Sequence, residues 1–167
     1  MSKLLVANWK SNPPDVKSAI KLAKAIDGKN VVITPPAPFL EPIRKVIKYS
    51  SLGAQNVFWA DGPYTGEISA EDLKLMKVKY VIIGHSERRK NLKETDAMIN
   101  LKMKATLKAG LKAILCVGEP LKVRRAGIAS AKNFVKKQLV ADLKSLPTTN
   151  YKLQTNLIVA YEPIWAI

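Results

Sequence analysis

A lysine, a histidine and a glutamate each stand directly after a short apolar run in this sequence, where they could move or compensate a proton. Lys10 belongs to Asn8-Trp9-Lys10, His85 to Gly84-His85-Ser86-Glu87-Arg88-Arg89, and Glu162 to Glu162-Pro163. Gln55-Asn56 and Gly118-Glu119 follow two further runs in the same way. A carboxylate that takes a proton beside a carbonyl, with an electrophile and a cation to hold the enediolate charge, suffices for metal-free proton transfer. That is isomerase chemistry. The sequence contains no Gly-x-Gly-x-x-Gly and no P-loop, so neither a dinucleotide nor a nucleoside triphosphate site is indicated. One Cys, Cys116, and one His, His85, do not assemble a zinc site, which takes three or four converging ligands. No metal and no cofactor is expected, and a disulfide within the chain is impossible.

The elements that must position these residues are short Val-, Ile- and Leu-rich runs alternating with longer helical patterns, the sequence form of βα units around a parallel sheet. Six strands are predicted: Lys3 to Ala7, Asn30 to Thr34, Ser51 to Gln55, Tyr80 to Gly84, Ala113 to Val117 and Leu157 to Tyr161. The first helix, Asp15 to Ile26, places Val16, Ala19, Ile20, Ala23 and Ile26 on one face. Ala97 to Leu107 does the same with Met98, Leu101, Ala105 and the nearby Ile99; Thr95 is its N-cap and Gly110 its stop, with Gly28 stopping the first helix. Further helices are predicted over Phe39 to Tyr49, Ala70 to Met76 and Ile128 to Leu143. No linker or composition break marks a second domain. The chemistry-bearing clusters all lie at C-terminal strand ends, the edge where parallel α/β folds bind ligands and closed barrels carry their active sites.

At 167 residues, 47% hydrophobic and 25% charged, the chain has the composition of one folded domain. No stretch approaches the roughly 20 apolar residues that span a bilayer, and the N-terminal segment Met1 to Asn8 lacks the apolar core of a signal peptide. No membrane association and a cytoplasmic location are therefore expected. The net charge of +15, with a pI of 9.9, favours an anionic small substrate or nucleic acid. The lysines, however, are spread over every predicted helix, Lys102, Lys104 and Lys108 among them, and read as solvated faces; nucleic acid is not the expected partner.

Six segments, in order, carry a resemblance. Asn8-Trp9-Lys10, Ala54-Gln55-Asn56, Tyr64-Thr65-Gly66-Glu67-Ile68-Ser69, Ile83-Gly84-His85-Ser86-Glu87-Arg88-Arg89, Cys116-Val117-Gly118-Glu119 and the stretch Ala160-Tyr161-Glu162-Pro163-Ile164-Trp165-Ala166-Ile167 resemble the signature segments of the triosephosphate isomerase family. The resemblance covers the whole chain. It implies a (β/α)₈ TIM barrel and the interconversion of dihydroxyacetone phosphate and glyceraldehyde 3-phosphate, a reaction of glycolysis and gluconeogenesis. It also implies Glu162 as the base, His85 as the electrophile at the carbonyl, Lys10 as the cation for the enediolate and phosphate, and Asn8 as a donor beside it. Ser86 and Glu87 would support the reacting centre, and the Tyr64 to Glu67 loop would dock into a neighbouring subunit of a homo-oligomer.

Measured against the family, the chain stops at Ile167, within the expected phosphate-closing lid, so an incomplete barrel of about six βα units, a single truncated domain over residues 1–167, is expected. Open first and sixth strands would favour association. The chain is then one part of a longer or split enzyme, an oligomer that covers its own edges, or an inactive barrel remnant. The competing function is an assembly or scaffold protein that needs a complementary C-terminal part. Simpler readings stand beside the functional ones. A lone His after a strand is often structural, and Lys10 taken alone is a surface lysine. Trp9, Trp59 and Trp165 are packing or hinge residues, and Cys116 is a buried, inert hydrophobe. Glu119 pairs with a lysine, and Arg88 and Arg89 open a salt-bridged helix.

Overall fold

The computed structural model describes residues 3–146 and 155–167, so Met1 and Ser2 of the N-terminal segment lie outside the described residues. The chain divides into two compact units, residues 1–81 and 82–167.

The first unit carries strands β1 (Leu5–Asn8), β2 (Val31–Thr34) and β3 (Ser51–Ala54), with helix α1 (Val16–Ile26) between the first two. A 3₁₀ turn (Ala37–Phe39) leads into α2 (Leu40–Arg44), and α3 (Ala70–Leu75) precedes β4 (Tyr80–Ile83), which runs across the unit boundary. Every pairing is parallel, with Leu5 opposite Val31, Val32 opposite Ser51 and Gly53 opposite Tyr80. Both faces of the strands carry buried apolar side chains, as the adjacent Val32 and Ile33 show, and Leu52 and Val81 are buried with them. Gly53 is required by close approach: a Cβ there would lie 2.4 Å from Thr34 Cγ2 and 2.9 Å from Val32 Cγ1.

Helix starts follow the capping residues. Asp15 accepts the Ser18 N–H at the start of α1, and Ser69 and Asp72 form a reciprocal capping box on α3. Two expectations need correction here. Gly28 does not stop α1: Asp27 is the C-cap, in extended conformation. The predicted helix over Phe39 to Tyr49 shrinks to α2, because the Asp27 carboxylate accepts the N–H groups of Lys48, Tyr49 and Ser50, which a continued helix would have given to its own carbonyls.

The second unit holds α4 (Ser86–Asn91), α5 (Asp96–Lys108), β5 (Lys112–Val117), α6 (Leu121–Arg125), α7 (Ile128–Asp142) and β6 (Leu157–Tyr161), with a final 3₁₀ turn (Ile164–Ala166). β5 and β6 run parallel, Ala113 opposite Leu157 through Val117 opposite Tyr161. Thr95 caps α5 as expected, and Gly110, at φ +80°, closes it: its N–H donates to Leu107 O while that of Leu111 reaches back to Thr106 O. The buried face of α5 is Ile99, Asn100, Lys102, Met103 and Thr106, whereas Leu101 is exposed. Two of its polar side chains are paired, while the Thr106 hydroxyl has no hydrogen-bond partner among the described residues. Lys102 Nζ meets Glu94 Oε1, and Asn100 Nδ2 donates to Asp142 O and Lys144 O.

The strands follow one another in the order β1-β2-β3-β4-β5-β6. Six parallel strands alternating with helices in chain order make an incomplete (β/α)₈ TIM barrel, the expected fold class.

Candidate active site

β4 ends in Gly84, whose φ of +72° turns the chain sharply and makes the next residue, His85, the N-cap of α4. The backbone N–H groups of Arg88 and Arg89 donate to His85 O, and the Glu87 N–H donates to His85 Nδ1 at 3.2 Å. Because Nδ1 accepts, the ring proton sits on Nε2. Nε2 lies 2.7 Å from Glu162 Oε1.

Glu162 follows β6 directly. Its main-chain N–H donates to Val117 O at 2.8 Å, which ties it to the end of β5. The second carboxylate oxygen, Oε2, accepts the Ser86 N–H at 3.0 Å. His85 is buried, and the Glu162 side chain retains 15% exposure. Burial works to raise the pKa of this carboxyl, but the His85 hydrogen bond and the Ser86 backbone and hydroxyl outweigh it, so the carboxyl is held below its ordinary value. The pair is thus an ionised carboxylate receiving the single imidazole N–H. A ligand carbonyl that takes the Nε2 proton releases Glu162 from its partner and leaves burial to make the carboxylate more basic.

Ser86 and Glu87 form the first turn of α4. Ser86 is buried and supplies its N–H to Glu162; Glu87 is exposed, supplies its N–H to the imidazole, and places a carboxylate oxygen 3.7 Å from Nδ1. In the first unit, Asn8 ends β1 and accepts the Lys10 N–H at 3.1 Å. Lys10 is exposed, holds a φ of +53°, and its carbonyl accepts from Gln55 Nε2, which also reaches Thr34 O, both at 2.8 Å. Gln55 thereby fixes the backbone on which Lys10 stands.

Several neighbours depart from the sequence reading. Among the described residues Glu119 pairs with no lysine: fully buried, it accepts from the Tyr161 hydroxyl at 2.9 Å and Trp165 Nε1 at 3.0 Å, with Arg124 at 3.9 Å. Burial opposes its ionisation, yet Trp165 and Tyr161 hold its pKa down. Trp165, expected as a packing or hinge residue, remains exposed and acts as a hydrogen-bond donor to this carboxylate. Sequence reasoning missed Gln138, buried on α7, whose Oε1 accepts the Gly118 N–H at 3.0 Å. Gly118, named from the sequence, is held by a close approach that the sequence does not disclose: a Cβ there would fall 1.8 Å from Glu162 O. Cys116 is buried as expected, its thiol pushed up to about 12 by burial and then by the charge of Glu162, with Arg89 opposing. Among the described residues no group of three or more His, Cys, Asp or Glu could hold a metal ion, and no helix is long and apolar enough to cross a membrane.

The family model described as triosephosphate isomerase matches residues 3–167. The triosephosphate isomerase of Dictyoglomus thermophilum is 41% identical over 174 residues, covering 99% of this chain and 68% of that protein. That of Alkaliphilus oremlandii is 40% identical over 98% of this chain and 67% of its own length, and that of Trichodesmium erythraeum 42% identical over 100% and 70%. The chain spans about two thirds of the length of these curated relatives. With the match running from the first described residue to the last, the chain belongs to the triosephosphate isomerase family.

Proposed function

We propose that Glu162 and His85 carry out the proton transfer of a triosephosphate isomerase, interconverting dihydroxyacetone phosphate and glyceraldehyde 3-phosphate through an enediolate. The observation that carries this reading is the 2.7 Å pair of Glu162 Oε1 and His85 Nε2, with the imidazole tautomer set by the Glu87 N–H. Glu162 removes the proton from the carbon beside the carbonyl, the Nε2–H of His85 polarises the carbonyl oxygen, and Glu162 returns the proton to the neighbouring carbon. Lys10 and Asn8 bind the anionic substrate, supported by their place at the end of β1 and by the rigid Lys10 backbone. The net charge of +15 adds a general attraction for a dianion. The enzyme works in the cytoplasm.

The Tyr64 to Glu67 loop mediates homo-oligomerisation in this reading. It is prearranged: the Phe58 N–H closes it onto Ile68 O at 2.8 Å, the Phe58 ring lies tilted against that of Tyr64 with centroids 4.7 Å apart, and Tyr64 remains 45% exposed. A Tyr64→Asp variant is expected to sediment as a smaller species than the parent chain, and an unchanged mass would remove this loop from the interface.

The test of the activity is turnover of glyceraldehyde 3-phosphate by the purified chain beside a Glu162→Gln control. The control is expected to lose about 10²- to 10⁴-fold, the range for a positioned acid–base group. Equal turnover in both would end the assignment of Glu162 as base.

A further inference from the structure

We infer that Arg89 is a positioning residue for His85: its guanidinium grips the carbonyl of Gly84, the residue immediately before the imidazole, and so fixes the peptide plane from which His85 projects. This inference rests on the reading of His85 and Glu162 as the reacting pair.

The Arg89 side chain is 14% exposed and uses its whole fork. Nε donates to Gly84 O at 2.8 Å, Nη1 meets Asp96 Oδ1, and Nη2 donates to Asp142 Oδ2 at 2.6 Å and, more weakly, to Cys116 O at 3.4 Å. The turn it grips depends on glycine twice over. Gly84 has a φ of +72°, and a Cβ there would stand 3.0 Å from Arg89 Nη2. The Arg89 main-chain N–H also donates to His85 O at 3.1 Å. One residue therefore holds the carbonyls on both sides of His85, that of Gly84 through its side chain and that of His85 through its backbone, while the two carboxylates anchor its guanidinium to α5 and α7. Rotating the Gly84–His85 peptide would swing Nδ1 away from the Glu87 N–H and release the tautomer that points Nε2–H at Glu162.

The plainer alternative is that Arg89 merely ties helices together. Arg88 is the built-in comparison: its side chain pairs with Glu94 Oε1 and, among the described residues, donates no hydrogen bond to the Gly84 carbonyl. A lysine at position 89 keeps the charge but lacks the planar fork that serves a carbonyl and two carboxylates at once.

The experiment uses the fact that His85 is the only histidine, so ¹⁵N spectra of the imidazole report one residue. The parent chain is expected to show a single tautomer, protonated at Nε2. Arg89→Met is expected to convert it into a mixture, Arg89→Lys to restore it only in part, and Arg88→Met to leave it unchanged, folding being checked by circular dichroism. If Arg89→Met does not fold, the double variant Arg89→Met/Asp142→Asn leaves no buried carboxylate behind and serves instead. A single Nε2–H tautomer in a folded Arg89→Met or double variant overturns the inference, as does equal disturbance by Arg88→Met. A tautomer mixture already present in the parent chain overturns the His85–Glu162 pairing, and the inference falls with it. Where turnover is measurable, kcat is expected to fall about tenfold to a hundredfold with KM little changed, the mark of misplacement and not of lost binding.

Discussion

His85 and Glu162 restrain each other, and the direction of that restraint is measurable. The imidazole N–H offsets a burial that on its own would raise the carboxyl pKa. Replacing His85 with Phe, which donates nothing, leaves burial as the larger influence, so the Glu162 titration is expected to move upward. A ¹³C titration of its carboxyl carbon checks this, and a midpoint that stays put or falls would mean that Ser86 alone holds the charge. Cys116, beneath the same site, offers a second reading at this scale. With its thiol pushed up to about 12, on the order of one molecule in ten thousand carries a thiolate at pH 8, and the side chain is buried. Iodoacetamide is expected to spare Cys116 in the folded chain and to label it at the rate of unfolding. Rapid labelling under native conditions would show an opening of β5 that its packing does not suggest.

Two glycines at element ends separate conformational strain from lack of room. Gly110 closes α5 at φ +80°, and a Cβ added there would meet nothing within 4 Å, so Gly110→Ala is expected to cost only about 1 kcal/mol, the penalty of the left-handed turn. Gly118 lies outside the left-handed region, but a Cβ there would meet Glu162 O at 1.8 Å and Glu162 C at 2.5 Å, backbone atoms that cannot rotate aside. Gly118→Ala is therefore expected to displace the end of β6, costing about 1–3 kcal/mol and more activity than stability. Parallel thermal unfolding of the two variants checks the contrast; a Gly118→Ala chain as stable as the parent would show that β6 ends less firmly against β5 than the Glu162 N–H to Val117 O bond implies. The same elements show what a sequence discloses. Five of the six strands are legible from their runs of Val, Ile and Leu, β3 with its single Leu52 being the exception, and His85 and Glu162 are legible because each follows such a run. α4 and α6 are not, since six and five residues are too short to display a helical period. The buried face of α5 is hidden for another reason: Lys102 is buried because Glu94 neutralises it, and Asn100 because carbonyls 42 and 44 residues away receive it. The work of Arg89 is hidden likewise, its partner Asp142 lying 53 residues further on.

Across the whole molecule, 28 Lys and Arg face 13 Asp and Glu, so protonating the carboxylates leaves 28 cations and His85 with no counter-charge in the chain. Most of the resolved shifts make that costly. Glu41, held to about 2 chiefly by Arg44, and Asp15, Asp27, Glu119 and Glu162, all lowered, contribute stability that is present above their unfolded values and lost as pH falls through the folded ones. Acid unfolding is thus expected below the ordinary carboxylate range, and added salt, which screens self-repulsion between cations, should move its midpoint to lower pH. Asp142 runs the other way. Fully buried, it shares one guanidinium with Asp96, its Oδ1 has no hydrogen-bond partner among the described residues, and burial raises its carboxyl to about 7 against the pull of Arg89. Between its unfolded value of 3.8 and about 7 the folded chain holds a proton that the unfolded chain has released, so this residue removes stability as pH rises through that window, by at most about 1.4 kcal/mol per pH unit. Denaturant unfolding of the parent chain and Asp142→Asn at pH 4 to 8 isolates it. The parent is expected to lose ground to the variant steadily up to about pH 7 and no further. A constant difference would mean that Arg89 keeps Asp142 ionised throughout, so that the guanidinium balances two carboxylates and the site beside Gly84 carries a net negative charge.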